Sequence, residues 1–149
     1  LDKRQATVPS TQATAQVLSK YEVGPPDAQE LLELVNAERA RVGVAPLALD
    51  EGLNTSARVK AEDMDKNHYF GHIDANGKHG YEYAYEYSAN CKVPSENISW
   101  GQRENTTQSA MTGWSNSPPH YTAMVNPEYT LTGIGISSDK IVQHFCIVK

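Results

Sequence analysis

The stretch WSNSPPHYTAMVNPEY, residues 114–129, decides the fold of this chain more than any other segment. It holds a tryptophan, a run of small polar residues, two adjacent prolines and His120, and it closes on an Asn-Pro pair and a tyrosine. A short helix is predicted immediately before it, over residues 107–114. After it, the alternating patterns of residues 133–136 and 141–148 predict two strands.

Two helices are predicted near the start of the chain. Asp27 is placed to cap the first helix, and Asp50 is placed to cap a second helix that ends near Asn67. Residues 1–26 are rich in Thr, Gln, Ala, Ser and Pro and have no sustained period, which indicates a linker or N-terminal extension. The folded domain is therefore predicted to cover residues 27–149.

The middle of the chain permits more than one assignment. Residues 73–80 form a predicted loop, because Asp, Asn and Gly dominate them. Tyrosine occupies every second position of residues 81–87, which suits a strand, although the spacing also suits a short helix. Residues 98–100 predict a short strand. Helices in the first half and strands at the end indicate an α+β fold built in layers.

Length and charge exclude several classes of protein. Thirteen basic and 18 acidic side chains give a net charge of −5, and no basic patch is present, which argues against nucleic-acid binding. No apolar run approaches the roughly 18 residues of a transmembrane segment. A chain of 149 residues suits a single domain with a sizeable core.

The two cysteines and three glycosylation triplets bear on the compartment. Cys91 and Cys146 are either buried thiols or one disulfide, which would close a long loop and stabilise the fold by ~4 kcal/mol. Asn54, Asn97 and Asn105 each begin an N-glycosylation triplet, and together they favour a secreted, extracellular protein. Asn97 suits a glycan least, because it stands beside Glu96, a candidate metal ligand, and is expected to be partly buried.

Histidines are the side chains best suited to chemistry here. His72, Glu96 and His120 each stand at the edge of a predicted element, among small and polar residues. Two imidazoles and a carboxylate would hold a divalent cation and leave a position open for water. Surface histidines and a capping glutamate are the alternative, because spacing alone does not join the three. His144 alternates with apolar strand residues and is expected to be a hydrogen-bonded histidine inside the sheet.

Four stretches of the chain resemble, in the right order, the CAP superfamily of cysteine-rich secretory, antigen 5 and pathogenesis-related proteins. The similarity is strongest to its compact SCP-like domains and covers most of residues 28–148. It implies a three-layer α–β–α sandwich with a central antiparallel sheet and a wide cleft. The stretches are LVNAER at 34–39, FGH at 70–72, SENISWG at 95–101 and residues 114–127, followed by Tyr129 and the strand at 133–136.

The resemblance also implies a metal site. Family members line the cleft with two histidines and two glutamates, and several bind zinc or another divalent cation there. The matching positions are His72, His120 and Glu96, and zinc is the expected metal. The second acid, which larger relatives carry shortly after the tryptophan of the last stretch, is absent, and Asp74 and Glu86 are candidates to replace it.

Two functions are compatible with this resemblance. One is an extracellular binding module for a lipid, sterol or other hydrophobic small molecule, a glycan or a cell-surface component, and the tyrosines of residues 81–87 would suit its contact surface. The other is a metal-assisted hydrolase of peptide or cell-wall substrates, with Glu96 as the catalytic general base towards bound water. Similarity of fold does not decide between them.

Overall fold

The computed structural model describes residues 25–101 and 107–149, which form five helices and one four-stranded sheet. Most of the predicted linker and the triplet at Asn105 lie outside the described residues. The helices are α1 (Ala28–Arg41), α2 (Glu51–Lys66), α3 (Gly80–Tyr87), α4 (Thr107–Ser115) and α5 (Pro118–Val125), and the strands are β1 (Ala48–Leu49), β2 (Val93–Trp100), β3 (Leu131–Ser137) and β4 (Lys140–Ile147). None of these helices has the length and apolarity needed to cross a membrane.

The sheet has the order β1-β3-β4-β2, so β4 lies inside it and β2 forms one edge. Strands β2 and β3 both run antiparallel to β4, whereas the two residues of β1 run parallel to β3. The predicted α+β fold with a central antiparallel sheet is thus confirmed, with one short parallel strand added at the other edge.

The helices form two layers, one on each side of the sheet. Helices α2 and α3 cover one face, which we call the α2 face, and α1, α4 and α5 cover the opposite α1 face. Alternation along β4 separates the two: Ile141 and Phe145 belong to the apolar cluster of the α1 face, whereas Val142 and Cys146 pack on the α2 face.

Two glycines explain how closely α2 approaches the sheet. A side chain at Gly133 would overlap the backbone of Leu53, and one at Gly135 would overlap the backbone of Arg58. The Gly-Ile-Gly-Ile strand therefore turns bare backbone to α2 and isoleucines to the α1 face.

Helix ends agree well with the sequence. The Asp27 carboxylate accepts a hydrogen bond from the amide of Glu30 at 2.9 Å, and Asp50 accepts one from Leu53 at 3.0 Å. Both predicted N-caps are confirmed, and α2 ends with Asn67 as its C-cap.

Two assignments in the middle of the chain needed the structure. Residues 81–87 lie in helix α3, so the strand alternative is wrong: Tyr83 is buried, while Tyr81 and Tyr85, four residues apart, share an exposed side. The prolines before His120, for which the sequence predicted no element, occupy the first turn of α5. Proline is well tolerated there because the first amides of a helix have no intrahelical acceptor.

The cysteines are joined. Cys91, just before β2, and Cys146, near the end of β4, form a disulfide with Cα atoms 5.5 Å apart. The alternative of two free thiols is therefore wrong, and the bridge fastens the edge strand β2 to the centre of the sheet.

Candidate functional site

Glu96 is the centre of the polar site, on the edge strand β2 directly opposite His144 in β4. One carboxylate oxygen, Oε2, lies 2.8 Å from Nε2 of His144, and the other, Oε1, lies 2.8 Å from Nδ1 of His72. Only 4% of the Glu96 side chain is exposed. The carboxylate thus holds two imidazoles at once, and His72 is brought to it from the loop before α3.

The hydrogen-bond roles around His144 follow from the chemistry of its neighbours. The shortest contact of Ser56 Oγ, at 2.6 Å, is to His144 Nδ1, compared with 3.1 Å to the carbonyl of Leu53. An ionised carboxylate only accepts hydrogen bonds, so His144 Nε2 donates to Glu96, and for a neutral ring we assign the Ser56 hydroxyl proton to the shorter contact with Nδ1 rather than to the Leu53 carbonyl. His144 is the hydrogen-bonded sheet histidine that its alternation predicts, and it also supports Glu96.

The same reasoning orients His72. Its Nδ1–H donates to Glu96, which leaves the lone pair on Nε2, and no described residue forms a hydrogen bond with Nε2. Because 52% of the His72 side chain is exposed, this nitrogen is available to a ligand from solvent. A carboxylate behind an imidazole also fixes the orientation of the ring and its tautomer.

The environment keeps Glu96 ionised. Burial alone would raise its pKa, but hydrogen bonds from His144 and His72, together with the charge of Lys60 and that of His144 in its protonated form, lower the pKa below the ordinary value. Gly80, at the first position of α3, leaves the room that the carboxylate needs, since a side chain there would overlap it.

A buried lysine of α2 holds the backbone of the loop that carries His72. Lys60 in α2 is fully buried, and its ammonium donates to the carbonyl of His72 at 3.2 Å and to the Tyr69 hydroxyl at 3.1 Å. Tyr69 in turn donates to Asp63 at 2.5 Å. Burial lowers the pKa of Lys60, while nearby carboxylates, first among them Glu96, oppose this. No sequence pattern singled out Lys60 as a site residue, although it lies on the buried face of α2 with Leu53, Ala57 and Met64.

His120 approaches from the α1 face. Its Nδ1 lies 2.8 Å from the hydroxyl of Ser117, the N-cap of α5, and its carbonyl accepts a hydrogen bond from the side-chain amide of Asn97 at 3.1 Å. Burial, and then the positive charge of His72 when its ring is protonated, lower the pKa of His120. Glu96 and Asn97 are consecutive on β2 and point to opposite faces, so one holds His72 and the other holds the segment of His120.

The donor set fits a divalent metal only in part. No three His, Cys, Asp or Glu side chains in residues 25–101 and 107–149 are arranged to hold a metal. Both Glu96 oxygens already accept from histidines, so its direct ligation stays a prediction. Nε2 of His72 and Nε2 of His120 are the imidazole nitrogens that a metal would use, because the Nδ1 atoms contact Glu96 and Ser117.

The two candidates for the missing acid are engaged elsewhere. Asp74 accepts from the amides of Asn76 and Lys78, at 2.8 and 2.9 Å, and from the Tyr83 hydroxyl at 3.2 Å. Glu86 pairs with Lys78. Both therefore stabilise the turn before α3, and neither carboxylate is directed to His72 by the contacts described.

The glycosylation triplets are unequally placed. The Asn97 side chain is buried, with 2% exposed, and its amide nitrogen is used by His120. Asn54 is half-buried in α2, and its side-chain oxygen accepts from the amide of Ile134 at 3.0 Å. A glycan on Asn97 would displace a hydrogen bond of the site, so this triplet fits glycosylation least.

Comparison with known proteins decides the family. Residues 32–148 match the family described as CAP, the cysteine-rich secretory protein family. The chain belongs to the CAP family. The match includes the four stretches at 34–39, 70–72, 95–101 and 114–127 on which the resemblance rests. The family and the SCP-like fold that the resemblance implied are thereby confirmed.

Two relatives of this CAP domain are proteins of Bacillus subtilis. It is 33% identical over 136 residues to the uncharacterized protein YkwD of Bacillus subtilis (strain 168), covering 89% of this chain and 50% of that protein. It is 29% identical over 117 residues to the uncharacterized membrane protein YlbC of the same strain, covering 78% and 33%. The chain therefore spans half, or a third, of the length of these relatives.

Solved structures agree on the fold. An extracellular protein containing an SCP domain from Bacillus anthracis matches with a TM-score of 0.74 and 25% identity, over 80% of this chain and 39% of that one. An outer surface protein of Borrelia burgdorferi matches with a TM-score of 0.73 and 20% identity, over 81% and 92%. Both neighbours are extracellular or outer-surface proteins.

Proposed function

We infer that this CAP domain is a secreted, extracellular binding module with a divalent metal, zinc by expectation, held in its ligand cleft by His72 and His120. The observation that carries the proposal is the Glu96 carboxylate, which fixes His72 from behind and leaves Nε2 as its free donor. When bound, zinc would supply a Lewis-acidic anchor for an oxygen atom of the ligand.

The role proposed for Glu96 is to orient His72 rather than to complete the metal's coordination shell. A carboxylate behind a metal-binding imidazole fixes the ring and its tautomer, and losing such a partner typically costs 10–100-fold in metal affinity. Glu96 is itself held by His144, which is held by Ser56, so the orientation of His72 traces back to helix α2.

Extracellular location and ligand class rest on separate observations. A disulfide is typical of exported proteins, and structural neighbours are extracellular or outer-surface proteins. Tyr81, Tyr85 and Tyr87 are exposed on α3, and Tyr81 packs edge-to-face on Tyr85 with ring centroids 6.5 Å apart. Such an aromatic surface suits a hydrophobic small molecule, a glycan or another cell-surface component.

Metal-assisted hydrolysis of peptide or cell-wall substrates is the second candidate. The ionised Glu96 carboxylate beside the proposed metal ligand His72 favours it, because each carboxylate oxygen has a second lone pair that would accept a proton from metal-bound water. The Ser56–His144–Glu96 chain does not add a nucleophile, since Ser56 and His144 are both fully buried. Their role is therefore structural.

The test is a metal titration of the full chain purified without chelator. We expect about one equivalent of Zn²⁺ or Ni²⁺ to bind, measured by calorimetry near pH 7.5, and His72→Ala and His120→Ala each to abolish binding. His79→Gln is the matched control, because His79 stacks on Tyr81 and lies outside the proposed set. Unchanged binding in both alanine variants would refute the metal site, and hydrolysis would lose its mechanism.

A further inference from the structure

A small cavity lies apart from the residues of the metal site. Its volume is about 270 Å³, and it forms where the end of α2 and the following loop meet the end of β2 and the start of β4. None of His72, Glu96 and His120 lines it. The lining residues are His68, Tyr69, Phe70, Trp100 and Lys140.

Two aromatic side chains give the cavity its apolar surface. Phe70 is 40% exposed and Trp100 is 44% exposed, which is unusual for side chains of this size. Their ring centroids lie 5.7 Å apart and their planes are tilted by 38°. The rings therefore present two apolar surfaces at an angle to each other instead of one flat stack.

The charged groups at the cavity compensate one another. The Lys140 ammonium lies 3.4 Å from Asp65 and 3.3 Å from Asp139, and 5.2 Å from the Trp100 ring centroid. Asp139 also accepts a hydrogen bond from the indole nitrogen of Trp100 at 2.9 Å, which fixes the ring. Because the lysine is already paired with carboxylates, the cavity favours a neutral ligand over an anion.

His68 contributes a polar group at a cost in backbone conformation. It follows the C-cap of α2 with φ of 56°, a position where glycine is usual, and the next amide, of Tyr69, closes the turn on Met64 at 3.1 Å. Neither ring nitrogen of His68 has a hydrogen-bond partner among the described residues. A non-glycine residue kept in this conformation, with free polar atoms in a cavity, points to a ligand.

Size and chemistry together define that ligand. Pockets for drug-sized molecules measure roughly 300–1,000 Å³, so this cavity admits about one ring. We propose that it is a subsite for a neutral pyranose that carries an acetamido group, as in N-acetylhexosamine glycans. The aliphatic C–H face of the sugar lies against Trp100, the acetamido methyl packs on Phe70, and hydroxyl or amide groups bond to His68.

The experiment uses the full chain and triacetylchitotriose as the probe. Trp100 is exposed and Trp114 is buried, with 3% exposed, so iodide quenching reports the cavity while Trp114 reports the fold. We expect the probe to protect Trp100 from iodide with a dissociation constant on the order of 1 mM. No protection at about 10 mM probe would overturn the proposal.

Two variants and a second sugar complete the test. Trp100→Ala should weaken binding of triacetylchitotriose by at least about tenfold, as measured by calorimetry. Trp114 emission verifies that this variant is folded. His68→Gly should weaken binding several-fold while the melting temperature stays the same or rises, because glycine suits a positive φ. Equal affinity in Trp100→Ala, or equal affinity of the wild type for unacetylated cellotriose, would overturn the assignment.

The subsite and the metal site can be tested independently. His72→Ala and His120→Ala should leave the protection of Trp100 by triacetylchitotriose unchanged, whatever they do to metal binding. Loss of sugar binding in these variants would move the saccharide to the metal cleft and overturn the proposed subsite.

Discussion

The two faces of the sheet are built differently. Among residues 25–101 and 107–149, the α1 face carries one apolar cluster of twelve buried residues, whereas the α2 face carries two clusters of five and four, so the larger share of their hydrophobic stabilisation lies on the α1 face. On the α2 face, core positions are occupied instead by Ser56, Lys60 and His144, all fully buried. The face with the smaller apolar core is the one that holds Glu96 and His72.

Most of the apolar core therefore lies on one side of the sheet and the support of His72 lies on the other. The edge strand β2 contributes to both sides. Glu96 points to the α2 face and holds His72, while Asn97 points to the α1 face and holds the carbonyl of His120. The α1 face is also stabilised by hydrogen bonds of the buried Arg39. Its guanidinium donates to the carbonyls of Ala45, Met124, Asn126 and Tyr129. Changes on the two faces should therefore have separable effects.

Removing a core side chain from the α1 face should give the largest loss of stability. Phe145 is fully buried and stacks on Tyr129 with ring centroids 5.5 Å apart. Phe145→Ala should lower the free energy of unfolding by about 3–5 kcal/mol, because it creates a cavity. Denaturant unfolding measures the loss, and zinc affinity of the folded fraction should be unchanged. A variant that loses metal binding as strongly as it loses stability would contradict the division.

A change on the α2 face should reduce stability and metal binding together. Gly135→Ala forces the backbone of α2 away from the sheet, since the added methyl overlaps Arg58. Overpacking of this kind costs about 1–3 kcal/mol. Because α2 also carries Lys60, which holds the carbonyl of His72, we expect zinc affinity measured by calorimetry to fall as well. Undiminished zinc affinity in a destabilised Gly135→Ala protein would show that α2 does not position the site.

Glu96→Gln should separate the site from the fold. The amide keeps the shape of the carboxylate, but its nitrogen cannot accept the hydrogen bond from one of the two histidines. We expect zinc affinity to fall by about 10–100-fold, measured by competition with a chromogenic chelator. The change in melting temperature should be smaller than that of Phe145→Ala. A Glu96→Gln protein with wild-type zinc affinity would argue that the carboxylate does not orient His72.

Local signals in the sequence predicted the parts of the fold that local physics determines. Asp27 and Asp50 cap helices because a side-chain oxygen satisfies amides only three residues away. The alternating patterns of residues 133–136 and 141–148 likewise predict the strands β3 and β4, because successive side chains of a strand point to opposite faces. The helix α5 was missed, because two prolines indicate a break unless they fall in the first turn, and the sequence alone does not say where that turn begins.

The site depends on pairings that no local pattern contains. His72 and His120 could be proposed from the chemistry of imidazole and from the CAP resemblance. The support of Glu96 by His144 depends instead on the register of β2 against β4, which brings together residues 48 positions apart. Lys60 was missed because lysine is rarely buried, and its burial became evident only from the loop that packs over it.

The smallest expected effect is a pH dependence confined to the α2 face. Burial raises the folded-state pKa of Glu96, but hydrogen bonds from His144 and His72 and the nearby positive charges together lower it below its ordinary value of about 4.3. The unfolded chain then binds the proton more readily than the folded one. The stabilisation by Glu96 is therefore present above about pH 4.3 and is lost as pH falls through the lower folded-state pKa.

This dependence is measurable as a difference between variants in the presence of chelator. The free energy of unfolding of the wild type minus that of Glu96→Gln should shrink as the pH falls below about 4.3, because the carboxylate titrates there and glutamine does not. The corresponding difference for Phe145→Ala should stay flat, since that change removes no titrating group. A Glu96→Gln difference that stayed equally flat would mean that Glu96 has the same pKa in the folded and unfolded chains, so that its partners only cancel the effect of burial.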